Sequence, residues 1–253
     1  MHRWPGHVAA DLLQAVHQFA FPRSCAGCGC SLENSTDHIC PRCHGRMKAI
    51  LPGDPTLQRA LRTLRQTAPI ADLGVLFYFE KGGVLQTLVH HLKYSGMRQL
   101  GRELGVLLGK RVRTVLHSLP ETGLVPVPLH RVKLRERGYN QSTSICEGVS
   151  SVLGLPILSS VLRRVRYTET QTSLTLEERS INVRGAFSVR RTARELVSGK
   201  RLILVDDVLT TGATLAASAE ALDRTGAARV TVCALGLAVG EAGETASGVA
   251  MIR

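Results

Sequence analysis

Between residues 56 and 240, short aliphatic runs alternate with amphipathic segments, and this alternation limits the folds open to the chain. ADLGVLFYFE (71–80), GLVPVPL (123–129), GKRLILVDDV (199–208) and ARVTVCALGLAV (228–239) read as strands. TLQRALRTLRQT (56–67), VLQTLVHHLKYSG (84–96), RQLGRELGVLLGKRVRTVLHSL (98–119), YNQSTSICEGVSSVLG (139–154) and GATLAASAEALDRTG (212–226) read as helices. Repeated strand–helix–strand units imply an α/β fold with a mostly parallel sheet covered on both faces. A sheet of that kind takes its ligands outside the carboxyl ends of its strands.

One such end carries unusual chemistry. Asp206 and Asp207 follow Leu202-Ile203-Leu204-Val205, and Thr210, Thr211, Gly212, Ala213 and Thr214 follow in turn before a helical pattern resumes. A helix start leaves backbone N–H groups unpaired and carries a partial positive charge. The threonine hydroxyls and a glycine that permits close backbone approach complete a cradle for a monophosphate. The carboxylates cannot favour the phosphate itself. They suit the vicinal hydroxyls of a sugar, or a hydrated Mg²⁺. Acids beside a phosphate cradle describe a sugar phosphate; the plainer reading makes the acids caps of the following helix. A P-loop is excluded, because GVLLGKR (105–111) has the wrong glycine spacing and Arg111 where a hydroxyl is needed.

VDDVLTTGAT resembles the phosphoribosyl-pyrophosphate (PRPP) motif of the type I phosphoribosyltransferases. The resemblance implies that Asp206 and Asp207 bind the ribose hydroxyls. It implies that Thr210, Thr211, Gly212, Ala213 and Thr214 bind the 5-phosphate, with Mg²⁺ accompanying PRPP. Hypoxanthine-guanine-type members carry an aspartate where this chain has Thr210, so purine salvage of that kind is disfavoured.

Two further segments fit the same picture. VPVPLHRVKLRERGYNQ (125–141) reads as a basic loop after a strand, with Arg131, Lys133, Arg135 and Arg137 before Gly138. Several cations there suit a departing diphosphate, and Asn140 and Gln141 begin a helix beside it. RYTETQTSLTLEERSINVRGAF (166–187) is threonine-rich and long enough to form a hood, with Gln171, Arg179 and Asn182 its distinctive polar residues. With LKYSG (92–96), these segments in this order resemble the ComF family of competence-associated proteins, over about Phe21 to Leu237. That resemblance implies a phosphoribosyltransferase-like domain behind an N-terminal zinc finger and a part in natural transformation. It places Lys93 beside the active cleft. Tyr94 reads equally well as a core residue with a polar tip.

Five cysteines fall within nineteen residues. Cys25 and Cys28 form one C-x-x-C turn, Cys40 and Cys43 another, and eleven residues separate them. Such turns supply a tetrahedral thiolate set for a structural Zn²⁺, which replaces the core that a short loop-rich segment cannot build. Cys30 is left over, and His38 and His44 lie close enough to be alternative ligands. The competing reading, a redox pair in each turn, lacks a thioredoxin-like context. The expected organisation is an amphipathic helix (1–20), a zinc-ribbon-like module with its linker (21–55), a phosphoribosyltransferase-like domain (56–240) and a weakly patterned tail (241–253).

The net charge of +12 suits polyanionic partners, and basic residues cluster at 109–113, 130–138, 163–166 and 190–194. Aromatic residues make up only 4% of the chain, which is sparse for single-strand binding by base stacking. No apolar run reaches the length of a membrane span, and residues 1–20 lack a secretory pattern, so a cytoplasmic protein is expected. Two functions remain open. One is pentosyl transfer from PRPP to an acceptor that the sequence does not name. The other is a non-catalytic sensor or scaffold that contacts single-stranded DNA or DNA-uptake proteins.

Overall fold

The structure, a computed structural model, describes residues 24–32, 37–115, 123–166 and 185–239. The expected N-terminal helix, the body of the expected hood with Gln171, Arg179 and Asn182, and the tail lie outside the described residues.

Four parallel strands form the central sheet: β1 (Asp72–Phe79), β2 (Gly123–Pro126), β5 (Arg201–Leu209) and β6 (Arg229–Ala238), in the order β1-β6-β5-β2. The middle strands alternate over their first halves. Leu202 and Leu204 point into one core, while Ile203 and Val205 point into the other. On the first face the core takes in Leu57, Leu61 and Leu64 of α2 (Pro55–Thr67) and Leu215 and Leu222 of α7 (Ala213–Asp223). On the second lie α3 (Val84–Tyr94), α4 (Arg98–Val115) and α6 (Gln141–Leu153), contributing Leu88, Leu92, Leu100, Leu104, Leu108, Ile145 and Val149. Helices on both faces of a parallel sheet are what the strand–helix alternation predicts.

Four elements depart from the sequence reading. The basic loop contains a helix, α5 (Arg131–Arg137), capped by the His130 side chain at its start and by Gly138 at φ +72° at its end. Two three-residue strands, β3 (Leu162–Arg164) and β4 (Phe187–Val189), form a separate antiparallel pair. In the cysteine-rich segment, Pro41–Arg46 form a helical turn, α1, that begins directly after Cys40.

The cysteine-rich segment has no separate interior. Cys25, Ile39, Cys40, Cys43 and Met47 share one apolar core with Leu76, Phe77, Val84 and Leu85. Ala49 bridges Phe77 in antiparallel fashion, extending the sheet beyond β1. The backbone N–H of His38 donates to Glu103 Oε2 at 2.9 Å, and its ring Nδ1 lies 3.2 Å from the same oxygen, tying the segment to α4. Among the described residues, no helix is long and apolar enough to cross a membrane.

Candidate active site and cysteine cluster

Asp206 and Asp207 lie near the carboxyl end of β5, with only 9% and 5% of their surface exposed. Buried carboxylates need partners, and here the side-chain partners come from two helices. Ser142 Oγ donates to Asp206 Oδ1 at 3.0 Å, and Gln141 Nε2 donates to Asp207 Oδ2 at 3.2 Å. Both donors stand in the first turn of α6. Lys93, from the last turn of α3, places Nζ 3.0 Å from Asp207 Oδ2. Arg137, which ends α5, donates to Gln141 Oε1 at 2.6 Å and lies 5.6 Å from the centre of the Tyr94 ring. The backbone N–H groups of Asp207 and Val208 also donate to the carboxylates, at 2.9 and 2.7 Å.

The balance of these contacts sets the charges. Burial, and then the neighbouring Asp207, push the Asp206 carboxyl up to about 7. Burial works against the Lys93 ammonium, but Asp207 first and then Asp206 outweigh it and raise its pKa above the usual lysine range. Asp206 Oδ2 has no hydrogen-bond partner among the described residues. The pair therefore has capacity for an added donor or cation, and carboxylate oxygens are the ligands Mg²⁺ favours.

The turn after β5 is shaped for close approach. Gly212 adopts φ +79°, and a side chain there would collide with Leu64 of α2. Thr211 Oγ1 accepts from the backbone N–H of Ala213 at 3.4 Å. The backbone N–H groups of Thr211, Gly212 and Thr214 have no partner among the described residues, as expected where a helix starts without a side-chain cap.

The structure thus brings Lys93, Arg137, Asp206 and Asp207 into one connected group, with Thr210 to Thr214 continuing directly from it. Arg135 stands apart: it is exposed on α5 with no partner among the described residues. Tyr94 is 70% exposed, so its reading as a core residue is corrected. Ser142 was missed. Its role is visible only once α6 starts beside β5, sixty-four residues further along the chain.

Near α1 the cysteines gather. The Sγ atoms of Cys25, Cys28, Cys30 and Cys40 all lie within 4.8 Å of one another, with Cys28 and Cys40 3.7 Å apart. Zinc–sulfur bonds of ~2.3 Å in a tetrahedron put sulfurs about 3.8 Å apart, so the cluster fits such an ion. The backbone N–H groups of Gly27 and Cys40 donate to Cys25 Sγ, both at 3.3 Å, and that of Cys43 donates to Cys40 Sγ at 3.4 Å. Against the burial of each group, these amide bonds help to lower the Cys25 and Cys40 pKa values. Burial pushes the Cys43 thiol up, and its sulfur packs against Cys28, Cys25 and Cys40. Contact with Cys28 and Cys40 pushes Cys30 up to about 12. Five thiols are thus assembled where a tetrahedral ion takes four.

Residues 140–244 match the phosphoribosyl transferase domain family. The DNA utilization protein YhgH of Escherichia coli K12 is 33% identical over 213 residues, which cover 81% of this chain and 87% of that protein. Competence protein F of Haemophilus influenzae is 34% identical over 155 residues, covering 60% of this chain and 67% of that protein. The adenine phosphoribosyltransferase of Leishmania tarentolae superposes with a TM-score of 0.38 and 16% identity, over 66% of this chain and 79% of that one. The parallel sheet, the carboxylate pair at the end of β5 and the cysteine cluster fall within a chain that matches the DNA utilization protein YhgH over 81% of its length, and it belongs to the ComF family, with a phosphoribosyltransferase domain.

Proposed function

We propose that the protein binds PRPP with Mg²⁺ at the end of β5 and supports DNA uptake from the cytoplasmic side. The observation that carries this reading is the buried Asp206–Asp207 pair, held by Ser142, Gln141 and Lys93 and followed at once by the unpaired amides of the Gly212 turn. The carboxylates accept the ribose hydroxyls, and the turn from Thr210 to Thr214 cradles the 5-phosphate. Lys93 and Arg137 face the diphosphate, and Arg135 adds positive charge from the same helix as Arg137. Bond breaking at the anomeric carbon moves negative charge onto the leaving diphosphate, which fixed cations stabilise. Bound Mg²⁺ would supply further positive charge to the same diphosphate. The DNA-related part of the reading comes from relatives named for competence and for DNA utilization.

Zinc belongs to the reading in a structural role. Cys25, Cys28, Cys40 and Cys43 would hold it, each C-x-x-C turn providing two thiolates, and the Cys43 amide already donates to Cys40 Sγ. A closed four-thiolate site leaves no position for water.

A second reading, a PRPP sensor or DNA-contacting scaffold without catalysis, is favoured by one observation. The position where hypoxanthine-guanine-type members of the fold carry an aspartate is Thr210, exposed and unable to act as a general base.

Calorimetry with PRPP and Mg²⁺ tests the site. Saturable binding is expected in the wild type. An Asp206→Asn/Asp207→Asn double variant should bind at least about thirtyfold more weakly, since each mispaired buried acceptor costs about 1–3 kcal/mol. Equal binding by the two proteins would refute the assignment. Release of diphosphate with a base, amine or nucleic acid then separates enzyme from sensor.

A further inference from the structure

The cysteine cluster holds one thiol more than a tetrahedral ion takes, and the five differ in their surroundings. Cys25, Cys40 and Cys43 are buried, whereas Cys28 and Cys30 are exposed. The Cys43 sulfur contacts those of Cys28, Cys25 and Cys40, and the Cys30 sulfur contacts those of Cys28 and Cys40. The two C-x-x-C turns fill the ligand set, so Cys30 stands outside it, with its sulfur within 4.8 Å of those of Cys28 and Cys40.

The backbone between Cys28 and Cys30 lets the two side chains meet. Gly29, at φ +76°, turns the chain, and a Cβ there would find no atom within 4 Å. The turn is tied at its base: the Cys25 N–H donates to the Cys30 carbonyl at 2.7 Å, and the Gly29 N–H donates to the Cys25 carbonyl at 2.8 Å. Bringing the sulfurs to the ~2.05 Å of a disulfide needs side-chain rotation and a small shift of the turn, and the open space around Gly29 permits both. Cys146 and Cys233, by contrast, are sealed in the core. Thiol oxidation follows thiolate character and exposure, and a reactive thiol beside a resolving one gives a reversible product.

We infer that Cys28 and Cys30 form a reversible oxidation site for hydrogen peroxide at the edge of the zinc set. The inference rests on the structural-zinc reading in one respect: a coordinated thiol is held as the thiolate. The Cys28 thiolate attacks one oxygen of the peroxide; an S–O bond forms, the O–O bond breaks and hydroxide leaves. Cys30 then attacks the Cys28 sulfur; an S–S bond forms, the S–O bond breaks, and the hydroxyl leaves with the Cys30 proton as water. The two cysteines lose two electrons in all, and the peroxide gains them. The disulfide withdraws Cys28 from the ligand set and leaves three thiolates, so zinc is released until a thiol reductant restores the pair. In a reducing compartment a disulfide of this kind is transient.

The test treats the full-length, zinc-loaded protein with hydrogen peroxide, maps disulfides by peptide mass spectrometry, and follows free zinc with a chromogenic chelator before and after dithiothreitol. A Cys28–Cys30 disulfide, release of zinc and its rebinding on reduction are expected, with Cys146 and Cys233 unmodified. Cys30→Ser should start with stoichiometric zinc and accumulate a Cys28 sulfenic acid that dimedone traps in a parallel sample. It should regain at least about fivefold less zinc after reduction, because a sulfenic acid left unresolved proceeds to the irreversible sulfinic acid. Disulfides confined to pairs without Cys30, equal rebinding by the variant, or a wild type that peroxide leaves unoxidised would each overturn the inference. So would loss of stoichiometric zinc from untreated Cys30→Ser, which would make Cys30 a ligand. A wild type that forms the disulfide yet never carries zinc would refute the structural-zinc reading alone and leave the oxidation site standing.

Discussion

Asp206 is held buried at a cost to the ionised carboxylate. An unfolded aspartate titrates near 4, whereas burial and Asp207 bring Asp206 to about 7. The native state therefore keeps a proton that the unfolded state has released. The stability linked to Asp206 is full below about pH 4 and is lost as the pH rises through about 7. Asp206→Asn should accordingly raise the thermal midpoint of the ligand-free protein at pH 8 by several degrees, at about 2–4 °C per kcal/mol for a chain of this size. At pH 5 the gain should shrink. A gain of equal size at both pH values would show that the charge is not the cause. The cysteines pose a separate question at the same scale. Cys43→Ser should lose stoichiometric zinc by metal analysis, while Cys30→Ser should retain it; the reverse result would put Cys30 in the ligand set.

Among the elements, α4 and α6 pack most closely, and glycine is the reason. Gly101, Gly105 and Gly109 recur every four residues on one face of α4, and Gly148 answers them from α6. A methyl group on Gly105 would run into the Ile145 carbonyl, and one on Gly148 into the backbone of Arg102. Gly105→Ala should therefore destabilise the protein by about 1–3 kcal/mol in urea unfolding, although alanine is the better helix former. An unchanged midpoint would mean that the two helices can separate freely. The spacing of Gly101, Gly105 and Gly109 was open to reading, but their partner helix was not, because helix pairing is a tertiary choice. The long aliphatic runs of β5 and β6 were legible for the opposite reason: each strand is buried on both faces, so nearly every residue carries the signal. RVKLRER hid α5 because seven mostly charged residues show no apolar stripe. Its one available sign was Gly138, placed to close a helix in the left-handed conformation. The strands β3 and β4, three residues each, are too short for any alternation to register. At the site, the aspartates and the Gly212 turn were legible because they are contiguous; Ser142 was not, because its partner is brought to it only by the fold.

At the scale of the whole molecule, the cysteine cluster and the carboxylate site meet opposite ends of α3. Gly27 is wedged between Cys43 and Val84 at the first turn, and Lys93 reaches Asp207 from the last. A module whose core is replaced by zinc would be expected to come apart alone on metal removal; the apolar core that the cysteines share with β1 and α3 leads to a different expectation. Chelation should lower the thermal midpoint of the entire protein and speed amide hydrogen exchange in residues 84–94. Exchange changes confined to residues 24–50 would show that the two regions are mechanically separate. The sheet order has its own effect on the timing of assembly. β6 is the last of the described strands in the chain, yet it sits between β1 and β5, with Asp72 opposite Thr231 and Arg201 opposite Arg229. During synthesis β1 and β5 therefore wait for the strand that joins them, so a release truncated before residue 229 would leave both with an open edge and yield an aggregation-prone fragment and not a smaller working protein.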